Sequence, residues 1–203
     1  GALAVLAVDD ELEGQIAAAG GIEVLLDALV RHTKSQNVAA HAWHALTNLS
    51  VSPKNKKLLF SAKATKNVIS TALKGYQDAP RVIEGVATTI RNLCLPTEGS
   101  VPDIKKVCDA SILQSLVGIL KKHIGTSIVT LAIVGAIRAI AADAAYATQF
   151  SGLAGAAVLQ EVLDTHKGDD RIQKEVESVQ RRMNDALSDG GGGGATKRTS
   201  AVE

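Results

Sequence analysis

Aromatic side chains are nearly missing from this chain. One Trp, two Tyr and two Phe stand among 203 residues, so bases would find almost nothing to stack on and nucleic acid is not an expected ligand. A surplus of one charge is missing too. With 22 basic side chains against 21 acidic ones, no global field draws the molecule toward nucleic acid or anionic lipid. Cysteine is scarce: Cys94 and Cys108 are too few for a disulfide framework and fit no metal spacing. Reduced, half-buried thiols in the cytoplasm or nucleus are expected, and no secretory signal is visible. One apolar run, residues 124–142, is long enough to raise the question of a membrane span. It carries Arg138, two glycines and clustered hydroxyls, with no aromatic belt. It reads instead as a helix buried on most sides by other helices.

What is present is aliphatic. Hydrophobic residues make up 46% of the chain, so the core must be built from Ala, Leu, Ile and Val, and the length suits one domain or two. Four segments share one phrase, beginning at Leu29, Leu73, Leu120 and Leu163, at intervals of 44, 47 and 43 residues. Three residues after each leucine comes a ring: His32, Tyr76, His123 and His166. Nine residues after it comes a β-branched anchor: Val38, Val82, Val129 and Ile172. Apolar residues follow each of the first three anchors at +4, +8 and +11, as Ala42, Leu46, Leu49; Val86, Ile90, Leu93; and Ile133, Ile137, Ile140. That spacing is the buried stripe of a helix. A second stripe precedes each phrase, as in Ile22, Leu25, Leu26 and Leu29. The repeat predicts a short helix, a second helix, a polar turn and a longer third helix in each unit.

Prolines respect this punctuation. Pro53 and Pro96 fall just past third helices, Pro80 lies in the turn before Val82, and Pro102 lies in the loop 95–103. Gly20-Gly21 suits a tight bend between first and second helices. One unit alone buries too little to offset the ordering of its chain, so stacked units are required and the central one should be the most apolar. Residues 128–140 carry a single charge. In the last unit, residues 171–187 keep one apolar stripe beneath a charged face, as a terminal cap should, and position +8 has become Gln180. Leu3 and Leu6 align with Leu46 and Leu49, so the chain is expected to be the C-terminal piece of a longer repeat protein. The predicted organisation is an all-α solenoid over 1–187 with a partial repeat at 1–14. Repeats follow at about 15–55, 56–103, 104–145 and 146–187. A disordered Gly-rich tail is expected over 188–203.

The phrases Ala45-Leu-Thr-Asn48-Leu49-Ser50 and Ile90-Arg91-Asn92-Leu93-Cys94, with the Ala-Gly-Gly-Ile bend at Ala19 to Ile22, resemble the armadillo (ARM) repeat family. The units run slightly longer than is usual there, and HEAT repeats are close structural relatives. The resemblance implies a right-handed α-solenoid, a superhelix of about four three-helix repeats plus the partial one. It also implies a protein-binding role, with third helices lining a concave groove whose Asn side chains bond an extended peptide. Carried onto this chain, the groove positions are His41, His44 and Asn48; Gly85, Thr88 and Asn92; Ala132, Gly135 and Ala139; and Glu175, Ser178 and Arg182. Asn48 and Asn92 retain the amide, which can donate and accept at once; alternatively both only tie neighbouring helices together. One residue earlier runs a ladder of Thr47, Arg91, Arg138 and Arg181. It suits the carboxylates of an acidic extended segment, or forms only local ion pairs on a solvated face. The small residues Ala132, Gly135 and Ala139 suggest room beside Arg138 for a bulky partner side chain.

Other motifs point to no chemistry. His41 and His44 lie one helical turn apart, but no third metal ligand follows and Trp43 between them suggests packing. A catalytic residue would be singular, whereas the ring at His32, Tyr76, His123 and His166 recurs and suits helix C-termini. The glycines at 190–194 lack the strand and Lys-Ser/Thr of a nucleotide loop. No enzyme activity, cofactor, metal, membrane or small-molecule substrate is expected. The chain reads as a scaffold or adaptor in the cytoplasm or nucleus, binding a protein or peptide. Two other readings stay open: a structural subunit of a large, for example cytoskeletal, assembly using convex faces and loops, and an importin-like transport adaptor. The second departs from its family's pattern, which sets a groove Trp four residues before the Asn. Trp43 is five before Asn48, and His44 holds that position.

Overall fold

The computed structural model describes residues 10–97 and 101–190, together with Ala2. Among the described residues the chain is all-α. Eleven α-helices follow one another: α1 (Asp10–Ala18), α2 (Gly21–Arg31), α3 (Gln36–Leu49), α4 (Pro53–Ser61), α5 (Thr65–Gly75), α6 (Pro80–Cys94), α7 (Ala110–Lys122), α8 (Ser127–Ile140), α9 (Ala144–Gly152), α10 (Gly155–Thr165) and α11 (Asp170–Gly190). They group into short, medium and long. Only the third unit departs, its first helix being reduced to a 3₁₀ turn at Ile104–Lys106.

Local chemistry sets the starts. Pro80 opens α6, where its missing N–H would have had no helical partner. Asp109 caps α7 by accepting from the Ser111 and Ile112 amides, both at 3.0 Å, and Asp143 caps α9 through the Ala145 amide at 2.9 Å. Partial burial pushes the Asp109 carboxyl up. The Lys66 ammonium, the Ile112 amide and the Ser111 side chain outweigh that and hold it below its ordinary value. The bend before α2 needs both its glycines. Gly20 sits at φ 82°, and a Cβ on Gly21 would lie 2.5 Å from Ile16 Cγ2. The corresponding bend before α10 uses Ala154 at φ 60°, while Gly155 keeps the close approach, since a Cβ there would lie 2.6 Å from the Phe150 carbonyl oxygen.

The long helices pack in series, α3 on α6, α6 on α8 and α8 on α11, while α2, α5, α7 and α10 form a second row. The predicted stripes lie in one continuous core that includes Leu46, Leu49, Ile90, Leu93, Ile137 and Ile140. α8 is covered on nearly every side, polar Thr130 included. It is 14 residues long, and no helix among the described residues is long and apolar enough to cross a membrane. Both thiols are fully buried rather than half-buried. Burial pushes each of them up, Cys108 to about 12, which leaves them protonated and inert.

Several expected boundaries move. The divisions placed at 14/15, 55/56 and 145/146 fall inside α1, α4 and α9. A proline or a capping Asp starts α4 and α9 earlier than the apolar pattern alone suggests. The segment expected as tail from Ser188 begins within α11. Leu3, Leu6 and the rest of the tail, 191–203, lie outside the described residues.

The recurring rings have a shared role. Each closes a second helix, and the last three reach back to a carbonyl at or just after the ring position of the preceding unit. The Tyr76 hydroxyl donates to the His32 carbonyl (3.3 Å), His123 Nε2 to that of Gln77 (2.6 Å) and His166 Nε2 to that of Ile124 (2.5 Å). Carbonyls at helix C-termini lack intrahelical donors, and these rings supply them from the next unit.

Candidate protein-binding surface

The predicted groove residues lie on α3, α6 and α8, the packed series of long helices. Within it, position nine after one anchor meets position three after the next. Thr47 Oγ1 donates to the Gly85 carbonyl at 3.1 Å, and Arg138 pairs with Glu175. Counted from each anchor, His44, Thr88 and Gly135 hold one position, with Asn48 and Asn92 one turn further along.

The junction between α3 and α6 is polar. Thr47 Oγ1 also lies 3.0 Å from Thr89 Oγ1. Asn92 Nδ2 donates to the Thr47 carbonyl and to Ser50 Oγ, both at 3.1 Å. Both amide protons of Asn92 therefore serve the protein, and Oδ1 is left as an acceptor. Asn48 is half-buried, His44 and Thr88 are half-buried, and His41 is exposed. His44 Nε2 is buried with no hydrogen-bond partner. Trp43 is fully buried, with its Cβ 2.8 Å from where a Cβ on Gly85 would sit. Gly85 thus lies under the Trp43 backbone instead of facing a ligand.

At the junction between α6 and α8, Gly135 opens a space that Arg91 fills. Arg91 Cδ lies 3.0 Å and Nη1 3.6 Å from the position of a Cβ on Gly135, and Glu175 Cδ is 3.9 Å from the same point. The room expected beside Arg138 for a partner's bulky side chain is taken up by this arginine stem. Arg138 and Glu175 are each about one-fifth exposed. Arg91 Nε is buried without a partner. Arg181 is exposed. Three of the four ladder positions are thus drawn into the packed face, and their partners differ from junction to junction.

What only the structure identifies is the pairing of Glu175 with Arg138. Its signal was present in the sequence as a carboxylate three after Ile172, one unit beyond an arginine nine after Val129. Among the described residues no group of three or more His, Cys, Asp or Glu is placed to hold a metal ion. On the row of second helices, an apolar crevice of about 320 Å³ lies between α2 and α5, lined by Leu29, Val30, Asn67, Val68 and Tyr76 among others.

Compared with known families and with curated proteins, the chain matches no family model and no curated sequence.

Proposed function

We propose that this chain is a non-catalytic scaffold of armadillo type, a right-handed superhelix that holds an extended segment of another protein along its concave third-helix face. The observation that carries the reading is the serial packing of α3, α6, α8 and α11, with the same register at the first and third junctions, which turns single side chains into rows crossing the helices. Helices packed about 10 Å apart present one position of each row per unit. An extended chain rising about 3.3 Å per residue therefore meets a new helix roughly every third residue. Asn48 and the acceptor left on Asn92 serve the ligand backbone, His44 and Thr88 flank it, and the arginines favour an acidic segment. The cytoplasm or nucleus suits two thiols kept protonated by burial.

A second reading, a structural subunit docked through its outer faces, draws on the apolar crevice between α2 and α5 and on Val30, which is 55% exposed. A photo-crosslinking amino acid placed at Thr88 or, separately, at Val30 separates the two. The groove reading expects adducts from Thr88 that map to one contiguous stretch of a partner. Adducts from Val30 alone would replace it with the structural reading.

A further inference from the structure

We propose that Arg91 is the receptor for a carboxylate carried by the bound segment, an aspartate or glutamate side chain; this rests on the groove reading and names the chemistry of its ligand. Two of the three junctions of the long helices place the same two positions face to face. At the first, Thr47 meets the Gly85 carbonyl through a hydrogen bond of 3.1 Å. At the third, Arg138 meets Glu175 in an ion pair. At the second, the Arg91 side chain runs over Gly135, and its Nε finds no acceptor there.

Arg91 is accordingly left incomplete. Its Nε is buried with no hydrogen-bond partner, and no ion pair among the described residues includes it. The Glu175 carboxylate reaches the space over Gly135 but is held by Arg138. A buried guanidinium N–H without an acceptor is unfavourable, and its fork matches a planar carboxylate. The ligand's carboxylate therefore takes at Arg91 the place that Glu175 takes at Arg138. A phosphate also suits a guanidinium. With five aromatic residues in the chain and a net charge of +1, neither stacking nor a broad positive field supports nucleic acid here.

The Nε–Hε signal of Arg91 in nitrogen-15 NMR of the full chain, assigned by its loss in Arg91→Gln, reads this contact directly. The probes are acetylated, amidated pentaglutamate, the matching pentaglutamine and a five-nucleotide oligothymidylate. Pentaglutamate should shift the Arg91 signal saturably, pentaglutamine should leave it in place, and oligothymidylate should act more weakly. Ala132→Glu should move the signal with no probe present and weaken pentaglutamate about tenfold, the scale of one charge-assisted hydrogen bond. Should that variant fail to fold, Arg91→Gln should itself weaken pentaglutamate about tenfold, and unchanged affinity overturns the proposal. If third-helix backbone amides respond to both peptides while the Arg91 signal stays still, the carboxylate site falls and the groove stands. If no probe moves a third-helix amide, both fall. A stronger response to oligothymidylate transfers the site to a phosphate ligand and overturns the assignment.

Discussion

The junction of α3 with α6 and that of α6 with α8 join consecutive long helices and are made of different material. In the first, Trp43 lies against Gly85, and hydroxyls and an amide (Thr47, Thr89, Ser50, Asn92) bridge the helices. In the second, aliphatic side chains interdigitate and the long stem of Arg91 covers Gly135. Two solutions to one packing problem therefore sit side by side. The polar one demands particular residues, because each buried donor needs its acceptor. The aliphatic one demands only volume and leaves a charged head group available at its edge.

The two glycines should break this comparison most sharply. A Cβ on Gly85 would sit 2.8 Å from Trp43 Cβ and 3.4 Å from the Trp43 backbone carbon, neither of which can swing aside. Gly85→Ala should lower stability by about 1–3 kcal/mol in urea unfolding, the usual cost of overpacking. A Cβ on Gly135 meets first Arg91 Cδ at 3.0 Å, part of a flexible chain. Gly135→Ala should stay within about 1 kcal/mol of the parent, since the better helix propensity of alanine offsets a small displacement of Arg91. Equal losses at the two sites would show that the junctions are equally rigid.

The removal of Asn92 comes next. Asn92→Ala removes one of two donors to the Thr47 carbonyl, which keeps the Ser50 hydroxyl, and the donor to Ser50 Oγ, at a residue only 8% exposed. A loss of about 1–3 kcal/mol is expected from two hydrogen bonds worth about 0.5–1.5 kcal/mol each. Asn92→Asp should lose nearly as much, because a carboxylate cannot donate to a carbonyl. A loss confined to the alanine variant would mean that volume, not the amide protons, holds α6 on α3.

Periodic features were the legible ones. Val86, Ile90 and Leu93 recur at helical spacing because burial selects for them at every turn, and all three are buried as expected. Helix starts were harder to place, since Asp143 acts through one local hydrogen bond and Pro53 through its fixed backbone angle, neither of which leaves a period. The absence of a full first helix in the third unit was hidden because the residues at 104–108 still bury Ile104, Val107 and Cys108 as a helix would. At the candidate surface, sequence positions identified which residues share a face but not what they touch. Whether Asn92 faces a ligand or a neighbour, and whether Arg91 or Arg138 finds Glu175, depends on side chains from units more than 35 residues apart. The recurrence of the rings was visible, while their carbonyl acceptors one unit back were not.

The smallest expected effect is the most discriminating. Arg138 and Glu175 are paired at a partly exposed position, so a double-mutant cycle with Arg138→Ala and Glu175→Ala should return a coupling of about 1 kcal/mol or less, falling as salt is raised. The same cycle with Arg91→Ala in place of Arg138→Ala should return a coupling near zero, because Arg91 forms no ion pair with that carboxylate. The two arginines approach one carboxylate from adjacent helices, but only Arg138 comes within ion-pair distance of it. If Arg91 couples to Glu175 as strongly as Arg138 does, the carboxylate is shared between them. Arg91 would then have its acceptor within the chain, the junctions would not differ in the way their residues suggest, and no ligand carboxylate would be needed to complete the site.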